Sequence, residues 1–196
     1  LNCTNCAAGT RDDDENPAAP CVDCRGGSYS HPGATECIGC EAGTYATLGA
    51  SSCDLCNAGQ YSEEEATACI NCDVGQFAAA GSTECTDCSI GQYDNDLSSA
   101  TPCLPCAIGT YSGSASTECI ECLEGQYDHD SDAGTACQLC PRGRYDLRYN
   151  SDPFDEPLAR TSCTMCAKGK SLDAEGSTTE LDCRTCDINT FAEEGF

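Results

Sequence analysis

The chain has 196 residues, of which 22 are Cys, one is Met and none is Trp. Its formal net charge is −24, because 33 acidic residues stand against nine basic ones. This charge excludes nucleic acid and anionic membranes as partners, and the shortage of large apolar side chains excludes a sizeable shared core. The apolar runs fall short of the roughly 18 residues that span a membrane, so we expect no membrane insertion in this segment.

Cysteine at this density indicates either metal ligation in a reducing compartment or a disulfide framework in an oxidising one. Small secreted modules that lack a core use disulfides to offset the entropy of ordering the chain. We therefore predict an extracellular or cell-surface protein. The sequon Asn2-Cys3-Thr4 makes Asn2 the predicted glycosylation site.

The Cys residues form eleven Cys-x-x-Cys pairs, which follow one another in steps of 16 residues or, at five places, of 18, 20 or 26. Gly stands three positions after the second Cys in ten units, from Gly9 to Gly169, and an aromatic residue follows two positions later in nine, from Tyr29 to Phe191. The pattern predicts a turn, a short extended piece around the aromatic residue, a second turn and a Cys pair. We expect each aromatic ring to pack over the neighbouring disulfide.

A 16-residue unit cannot bury a face alone and must lean on its neighbours. The predicted fold class is small and disulfide-rich: an elongated tandem array of ~16-residue Cys-x-x-Cys repeats with short β-hairpin-like pieces and no significant helix. Residues 1–196 are predicted to be a single continuous array of about eleven units, truncated at both ends. Residues 145–161, where one step reaches 26 residues, are predicted to be a loop insertion.

Two disulfide pairings suit this array. In the serial pairing, the second Cys of each pair bonds the first Cys of the next pair; in the crossed pairing, neighbouring pairs bond as Cys37–Cys53 with Cys40–Cys56. We favour the serial pairing, in which each bond closes a loop of about 14 residues and contributes roughly 3 kcal/mol in the chain-entropy model. It engages Cys6, Cys21, Cys24, Cys37, Cys40, Cys53, Cys56, Cys69, Cys72, Cys85, Cys88, Cys103, Cys106, Cys119, Cys122, Cys137, Cys140, Cys163, Cys166 and Cys183.

Other chemistries of the Cys-x-x-Cys motif are disfavoured. Zinc or iron–sulfur ligation does not require Gly and an aromatic residue at fixed offsets, and eleven pairs leave one pair without a mate. A redox dithiol typically occurs once, in a thioredoxin-like context. The two His residues, His31 and His129, lie in turn-like segments, so we expect no enzyme activity.

Asp residues mark the three 18-residue steps at six and eight positions after the second Cys: Asp12 with Asp14, Asp94 with Asp96, and Asp128 with Asp130. Alternating Asp is the ligand spacing of a calcium loop. The sequence therefore predicts weak Ca²⁺ binding, strongest at Asp128, Asp130 and Asp132, and no other cofactor. The alternative is that Asp simply favours turns.

Two segments carry a family resemblance, Cys40-Glu41-Ala42-Gly43-Thr44-Tyr45 and Cys106-Ala107-Ile108-Gly109-Thr110-Tyr111. The motif Cys-x-x-Cys-x-x-Gly-x-Tyr resembles the cysteine-rich repeats of ephrin receptors and the first half-module of tumour necrosis factor receptor ectodomains. The resemblance implies an extracellular location, disulfides and a rod-like architecture.

Two functions follow as expectations. The first is a structural stalk or a subunit of a cell-surface fibre, coat or flagellar-hair-like filament, with itself, other extracellular proteins or glycans as partners. The second is a ligand-binding receptor ectodomain, which should display apolar anchors outside the repeat positions. The regularity of the array favours the first. Cysteine parity agrees, because the serial pairing leaves Cys3 and Cys186 without partners in this chain.

Overall fold

The computed structural model describes residues 4–14, 16, 19–146 and 160–187. In this part of the chain, ten disulfides close ten consecutive loops, numbered 1 to 10 here: Cys6–Cys21, Cys24–Cys37, Cys40–Cys53, Cys56–Cys69, Cys72–Cys85, Cys88–Cys103, Cys106–Cys119, Cys122–Cys137, Cys140–Cys163 and Cys166–Cys183. The pairing is the serial one throughout. Cys186 is the one described cysteine outside these bonds, and Cys3 lies outside the described residues.

The regular structure of the described residues is a series of two-residue strands and a single 3-10 helix, Glu180–Asp182. The predicted tandem array of short hairpins without significant helix is confirmed. The strands pair antiparallel as Thr10–Arg11 with Val22–Asp23, Ser28–Tyr29 with Ile38–Gly39, Thr44–Tyr45 with Asp54–Leu55, Gln60–Tyr61 with Ile70–Asn71, Gln76–Phe77 with Thr86–Asp87, Gln92–Tyr93 with Leu104–Pro105, Thr110–Tyr111 with Ile120–Glu121, Gln126–Tyr127 with Gln138–Leu139, Arg144–Tyr145 with Thr164–Met165, and Lys170–Ser171 with Arg184–Thr185.

A tight turn begins every loop. In loop 2 the N–H of Ser28 donates to the carbonyl of Arg25 (3.2 Å), and Gly27 between them has φ +82°. A positive φ at the third residue defines a type II turn, which explains the fixed Gly of the repeat. The hairpin closes when the N–H of Cys40 donates to the carbonyl of Gly27 (2.9 Å). Both bonds recur in all ten loops.

Consecutive loops are joined by backbone hydrogen bonds. The N–H of Gly27 in loop 2 donates to the carbonyl of Ala46 in loop 3 (2.7 Å). In return, the N–H of Gly49 in loop 3 donates to the carbonyl of Cys24 in loop 2 (2.9 Å). Because a two-residue hairpin satisfies few of its own backbone groups, these bonds between loops replace the wider sheet that each unit lacks.

In the described part of the chain, the aromatic rings of the repeat are partly exposed, except for Tyr145. Tyr145 is buried with Leu172 and with Cys166 and Cys183, which form the disulfide of loop 10, as expected of a ring that packs over a neighbouring disulfide. For the other rings this packing stays a prediction. The most buried positions are the second Cys of most pairs and the residue that directly follows the aromatic position, which Ser171 occupies in loop 10. These latter residues, at six positions after the second Cys, are Ser30, Ala46, Ser62, Ala78, Asp94, Ser112, Asp128, Asp146 and Leu172.

The chain divides into two compact units. One consists of Leu1–Cys88 and Asp94–Cys103, and the other of Ser89–Tyr93 and Leu104–Phe196. Each unit repeats the same loop-to-loop bonding within itself. Among the described residues, no helix has the length and apolar character needed to cross a membrane.

Candidate functional site

The lengthened loops 6 and 8 differ from the regular loops at the residue after the aromatic one, where each has an Asp. Asp94 of loop 6 is buried, with 3% of its surface exposed, and its Oδ2 accepts a hydrogen bond from the N–H of Gly75 (3.1 Å). In loop 8, Asp128 Oδ2 accepts from the N–H of Gly109 in the same way (3.0 Å). In both places the carboxylate takes the position of the backbone carbonyl that serves the regular loops.

The other carboxylate oxygen of each buried Asp accepts a hydrogen bond from the extra turn that makes its own loop two residues longer than a regular one. Asp94 Oδ1 accepts from the N–H of Ser98 (3.2 Å), and Asp128 Oδ1 accepts from the N–H of Ser131 (2.8 Å). A carboxylate can accept several bonds at once, whereas Ser or Ala offers only its carbonyl for the bond to the preceding loop. One Asp side chain therefore joins the preceding loop to the extra turn.

These backbone bonds decide the ionisation of Asp94. Burial acts to raise the pKa of Asp94, but the N–H groups of Gly75 and Ser98 outweigh it and hold the pKa below its ordinary value. The carboxylate is therefore ionised at neutral pH, where it is the stronger hydrogen-bond acceptor.

The second Asp of each lengthened loop fastens a Thr near the end of that loop. The hydroxyl of Thr101 donates to Asp96 Oδ1 (2.9 Å), and the hydroxyl of Thr135 donates to Asp130 Oδ1 (2.9 Å). The N–H of Asp132 and the hydroxyl of Thr135, aided by His129, hold the pKa of Asp130 below its ordinary value although burial opposes them. The Asp-x-Asp pattern thus has a structural role in these loops.

The three residues predicted to bind Ca²⁺ lie in one turn of loop 8. Asp128, Asp130 and Asp132 each accept a bond from the N–H of a nearby residue of that turn. Among the described residues, no three His, Cys, Asp or Glu side chains are grouped so that they could hold a metal ion. Calcium binding therefore stays a prediction, and an ion would compete with these N–H donors for the same oxygens.

The remaining sequence candidates are dispersed. In loop 1, Asp14 Oδ1 accepts from the N–H of Asn16 (2.9 Å). His31 and His129 are both exposed, and each ring lies edge-on to a Tyr two residues earlier, at centroid distances of 5.4 and 6.5 Å. His129 Nε2 is 3.3 Å from Asp130 Oδ2.

Asp146 and Arg160, on either side of the predicted insertion, were missed by sequence reasoning. Asp146 Oδ2 accepts from the N–H of Gly125 (3.2 Å), as its counterparts do in loops 6 and 8. The guanidinium of Arg160 lies 3.9 Å from this carboxylate and donates to the carbonyl of Cys122 (2.5 Å). A signal was available in the sequence, because Asp146 also stands six positions after a second Cys.

Several predictions fall on residues outside the described part of the chain. They are the glycosylation site Asn2, the terminal Cys3, and residues 147–159 of the 145–161 insertion. They stay predictions.

Comparison with known families assigns part of this array. Residues 109–152, which begin at the Gly turn of loop 7 and run through loop 8 into loop 9, match the family model described as tyrosine-protein kinase ephrin type A/B receptor-like. This segment is similar to the cysteine-rich repeats of that family. No curated protein matches the chain. The second resemblance, to tumour necrosis factor receptors, stays a prediction.

The ephrin receptor-like match and the disulfides together fix a broad class. The protein carries cysteine-rich repeats of the kind that serve as receptor-type or structural modules outside the cell. Ten disulfides fit that location, because such bonds persist in oxidising compartments.

Proposed function

We propose that the chain is a non-catalytic structural module of an extracellular fibre, cell coat or flagellar-hair-like filament, with copies of itself or other extracellular proteins as partners. The observation that carries the proposal is the recurrence of one bonding scheme. In loops 1 to 9, the Gly N–H donates to the residue after the next loop's aromatic position, whether the acceptor is a carbonyl or a carboxylate.

This recurrence matters because the buried carbonyl and carboxylate groups serve to hydrogen-bond each loop to the next. Each loop needs only its neighbours, so loops can be added without a new core. The charged side chains are predominantly acidic, and the formal charge of −24 favours solubility and spacing between neighbouring molecules. These are properties of a spacer rather than of a binding cleft.

The test is immunogold electron microscopy of the native material, with antibodies raised against the folded chain. We expect gold particles along fibres or over an organised coat. Antibody absorbed with purified protein is the control and should leave the material unlabelled. Gold confined to bare plasma membrane, together with a stoichiometric ligand that elutes with the purified chain, would overturn the proposal.

A receptor ectodomain is the second candidate, because aliphatic side chains are exposed on the hairpins and part of the chain matches an ephrin receptor-like family. Ile38, Ile70 and Leu104 are each about half exposed, on the same hairpin face as a Tyr. Such side chains can anchor a protein ligand. The stoichiometric ligand described above is the result that would favour this candidate.

A further inference from the structure

A hydroxyl recurs at one position of the repeat that the loop-to-loop bonding does not explain. In each of the eight consecutive loops 2 to 9, the residue two positions before the closing Cys is Ser or Thr. These residues are Thr35, Ser51, Thr67, Thr83, Thr101, Thr117, Thr135 and Thr161. The position lies at the second turn of the loop, just before the strand inside the Cys pair.

Two of these hydroxyls have a structural role. Thr101 in loop 6 and Thr135 in loop 8 lie within donating distance of the carboxylates of Asp96 and Asp130, and each also lies within donating distance of a backbone carbonyl of its own turn, so the single hydroxyl proton has two acceptors to choose from. These bonds occur only in lengthened loops, because the regular loops lack the second Asp. They cannot account for the hydroxyl in the regular loops.

Thr35, Thr67 and Thr117 are exposed and make no hydrogen bond to any residue that the structure describes. The methyl group of Thr67 packs against the backbone of loop 2, since a Cβ added to Gly26 would lie 2.8 Å from Thr67 Cγ2. This contact fixes the side chain by its methyl group and leaves the hydroxyl free to react.

An exposed aliphatic residue follows each of these three hydroxyls by three positions. Ile38, Ile70 and Ile120 are 46%, 52% and 47% exposed. Thr67 and Ile70 line the same shallow hollow, together with Ser62 and Ala66. Each such site therefore combines an unengaged hydroxyl with an exposed Ile three positions later, and in loop 4 the two side chains line one hollow.

We propose that Thr35, Thr67 and Thr117 are O-glycosylation sites, and that each carries a neutral sugar whose C–H face covers the neighbouring Ile. A sugar ring has one face rich in C–H groups, so it removes aliphatic surface from water while its hydroxyls stay hydrated. The inference is separate from the proposed structural role and does not depend on it.

The negative charge around these sites favours a neutral sugar over a phosphate as the group attached to the Thr hydroxyl. Glu36 directly follows Thr35, Glu118 directly follows Thr117, and the chain already has a net charge of −24. Phosphate would add up to two negative charges beside a carboxylate and meet like-charge repulsion. A neutral glycosyl group adds none.

The reaction is an ordinary glycosyl transfer from a nucleotide-activated sugar. Thr Oγ1 attacks the anomeric carbon, a new C–O bond forms, and the bond from that carbon to the diphosphate breaks. The nucleoside diphosphate leaves with the bonding electron pair, and the hydroxyl proton passes to a base of the transferase. Thr101 is the matched comparison, because Leu104 follows it by three positions and is 46% exposed, but its hydroxyl is held by Asp96.

The experiment is site mapping by mass spectrometry with electron-based fragmentation, on protein secreted by cells of its own source. We expect glycosyl mass increments on Thr35, Thr67 and Thr117 and none on Thr101. In the variant Asp96→Ala, secreted by the same cells, Thr101 loses its carboxylate acceptor but keeps the carbonyl of Ser98, so its modification should rise only in part.

Wild-type protein alone already decides the proposal, so it does not depend on the folding of the variant. Bare hydroxyls at all three Thr residues, or phosphate in place of sugar, would overturn it. Equal modification of Thr101 in the wild-type protein would also count against it, because the engaged and free hydroxyls would then behave alike.

Discussion

Loops 5 and 6 are consecutive in the chain, and they receive the Gly N–H of the preceding loop in different ways. In regular loop 5, the carbonyl of Ala78 accepts from Gly59 (2.8 Å). In loop 6, which is two residues longer between its cysteines, the carboxylate of Asp94 accepts from Gly75 (3.1 Å). The comparison teaches that the array conserves a hydrogen bond rather than a residue type, and that a longer side chain accommodates a longer loop.

Loops 6 and 8 also have a less crowded contact with the loop two places before them. A Cβ added to Gly43 would lie 2.2 Å from the carbonyl oxygen of Gly81 in regular loop 5. A Cβ added to Gly59 would lie 3.0 Å from the backbone nitrogen of Ala100 in loop 6, and one added to Gly91 would lie 2.9 Å from the backbone nitrogen of Gly134 in loop 8. The same Gly position is therefore less crowded where its neighbour is loop 6 or loop 8 than where it is a regular loop.

The largest effect is expected from a substitution that breaks the crowded contact between Gly43 and the carbonyl of Gly81. Gly43→Ala should destabilise loops 3 to 5 by about 3–5 kcal/mol, because the positive φ and the collision with a backbone oxygen add together. Gly59→Ala should cost about 1–2 kcal/mol, mainly from its φ of +81°. Hydrogen exchange measured by mass spectrometry on both variants provides the comparison.

Gly169→Ala is the control for backbone strain alone, because its φ is +80° and no described atom lies within 4 Å of the added Cβ. Its cost should match that of Gly59→Ala. Equal losses of protection in all three variants would contradict the role assigned to the close approach between loops.

The next largest effect is expected from a substitution that removes the buried carboxylate of lengthened loop 6. Asp94→Ser introduces the residue of a regular loop into loop 6 and leaves Gly75 and Ser98 without their acceptor. Losing a hydrogen bond to a charged group costs about 1.5–3 kcal/mol, so exchange of the Gly75 amide should accelerate tenfold or more. The exposed residue Asp73→Ala is the control and should leave this amide unchanged. An unaltered Gly75 amide in Asp94→Ser would show that another group accepts the bond.

A smaller effect appears as a dependence on pH. The pKa of Asp94 is lowered in the folded protein, so its contribution is complete above the unfolded value of about 3.9 and disappears as the pH falls through the folded value. The difference in stability between the wild-type protein and Asp94→Ser should therefore be constant at pH 5–7 and shrink towards pH 2. Urea midpoints at each pH test this. A difference that grows on acidification would contradict an ionised Asp94.

The smallest expected effect is calcium binding to loop 8. We predict weak binding, because Asp128, Asp130 and Asp132 already accept N–H bonds that an ion would have to displace. Titration calorimetry of metal-free protein should give a small heat that is lost in Asp130→Asn with Asp132→Asn. The absence of any heat in the wild-type protein would leave these residues with their structural role alone.

The sequence by itself determined the elements that depend on local chemistry. The steps between Cys pairs set the length of each loop, the fixed Gly predicted a tight turn, and the short spacing left room only for strands of two or three residues. The motif around Cys106 and Tyr111 also indicated the ephrin receptor-like resemblance. These features could be predicted because each depends on the conformation of a few adjacent residues.

The tertiary structure decided what depends on neighbouring loops. Serial and crossed disulfides were both compatible with the spacing, and only the hairpins place Cys24 beside Cys37, with a Cα–Cα distance of 5.7 Å. Likewise, Asp94 and Asp128 suggested metal ligands in the sequence, because nothing there shows that a Gly N–H of the preceding loop faces them. An acidic side chain has the same spacing whether it binds an ion or a backbone donor, and only its position in the fold determines which.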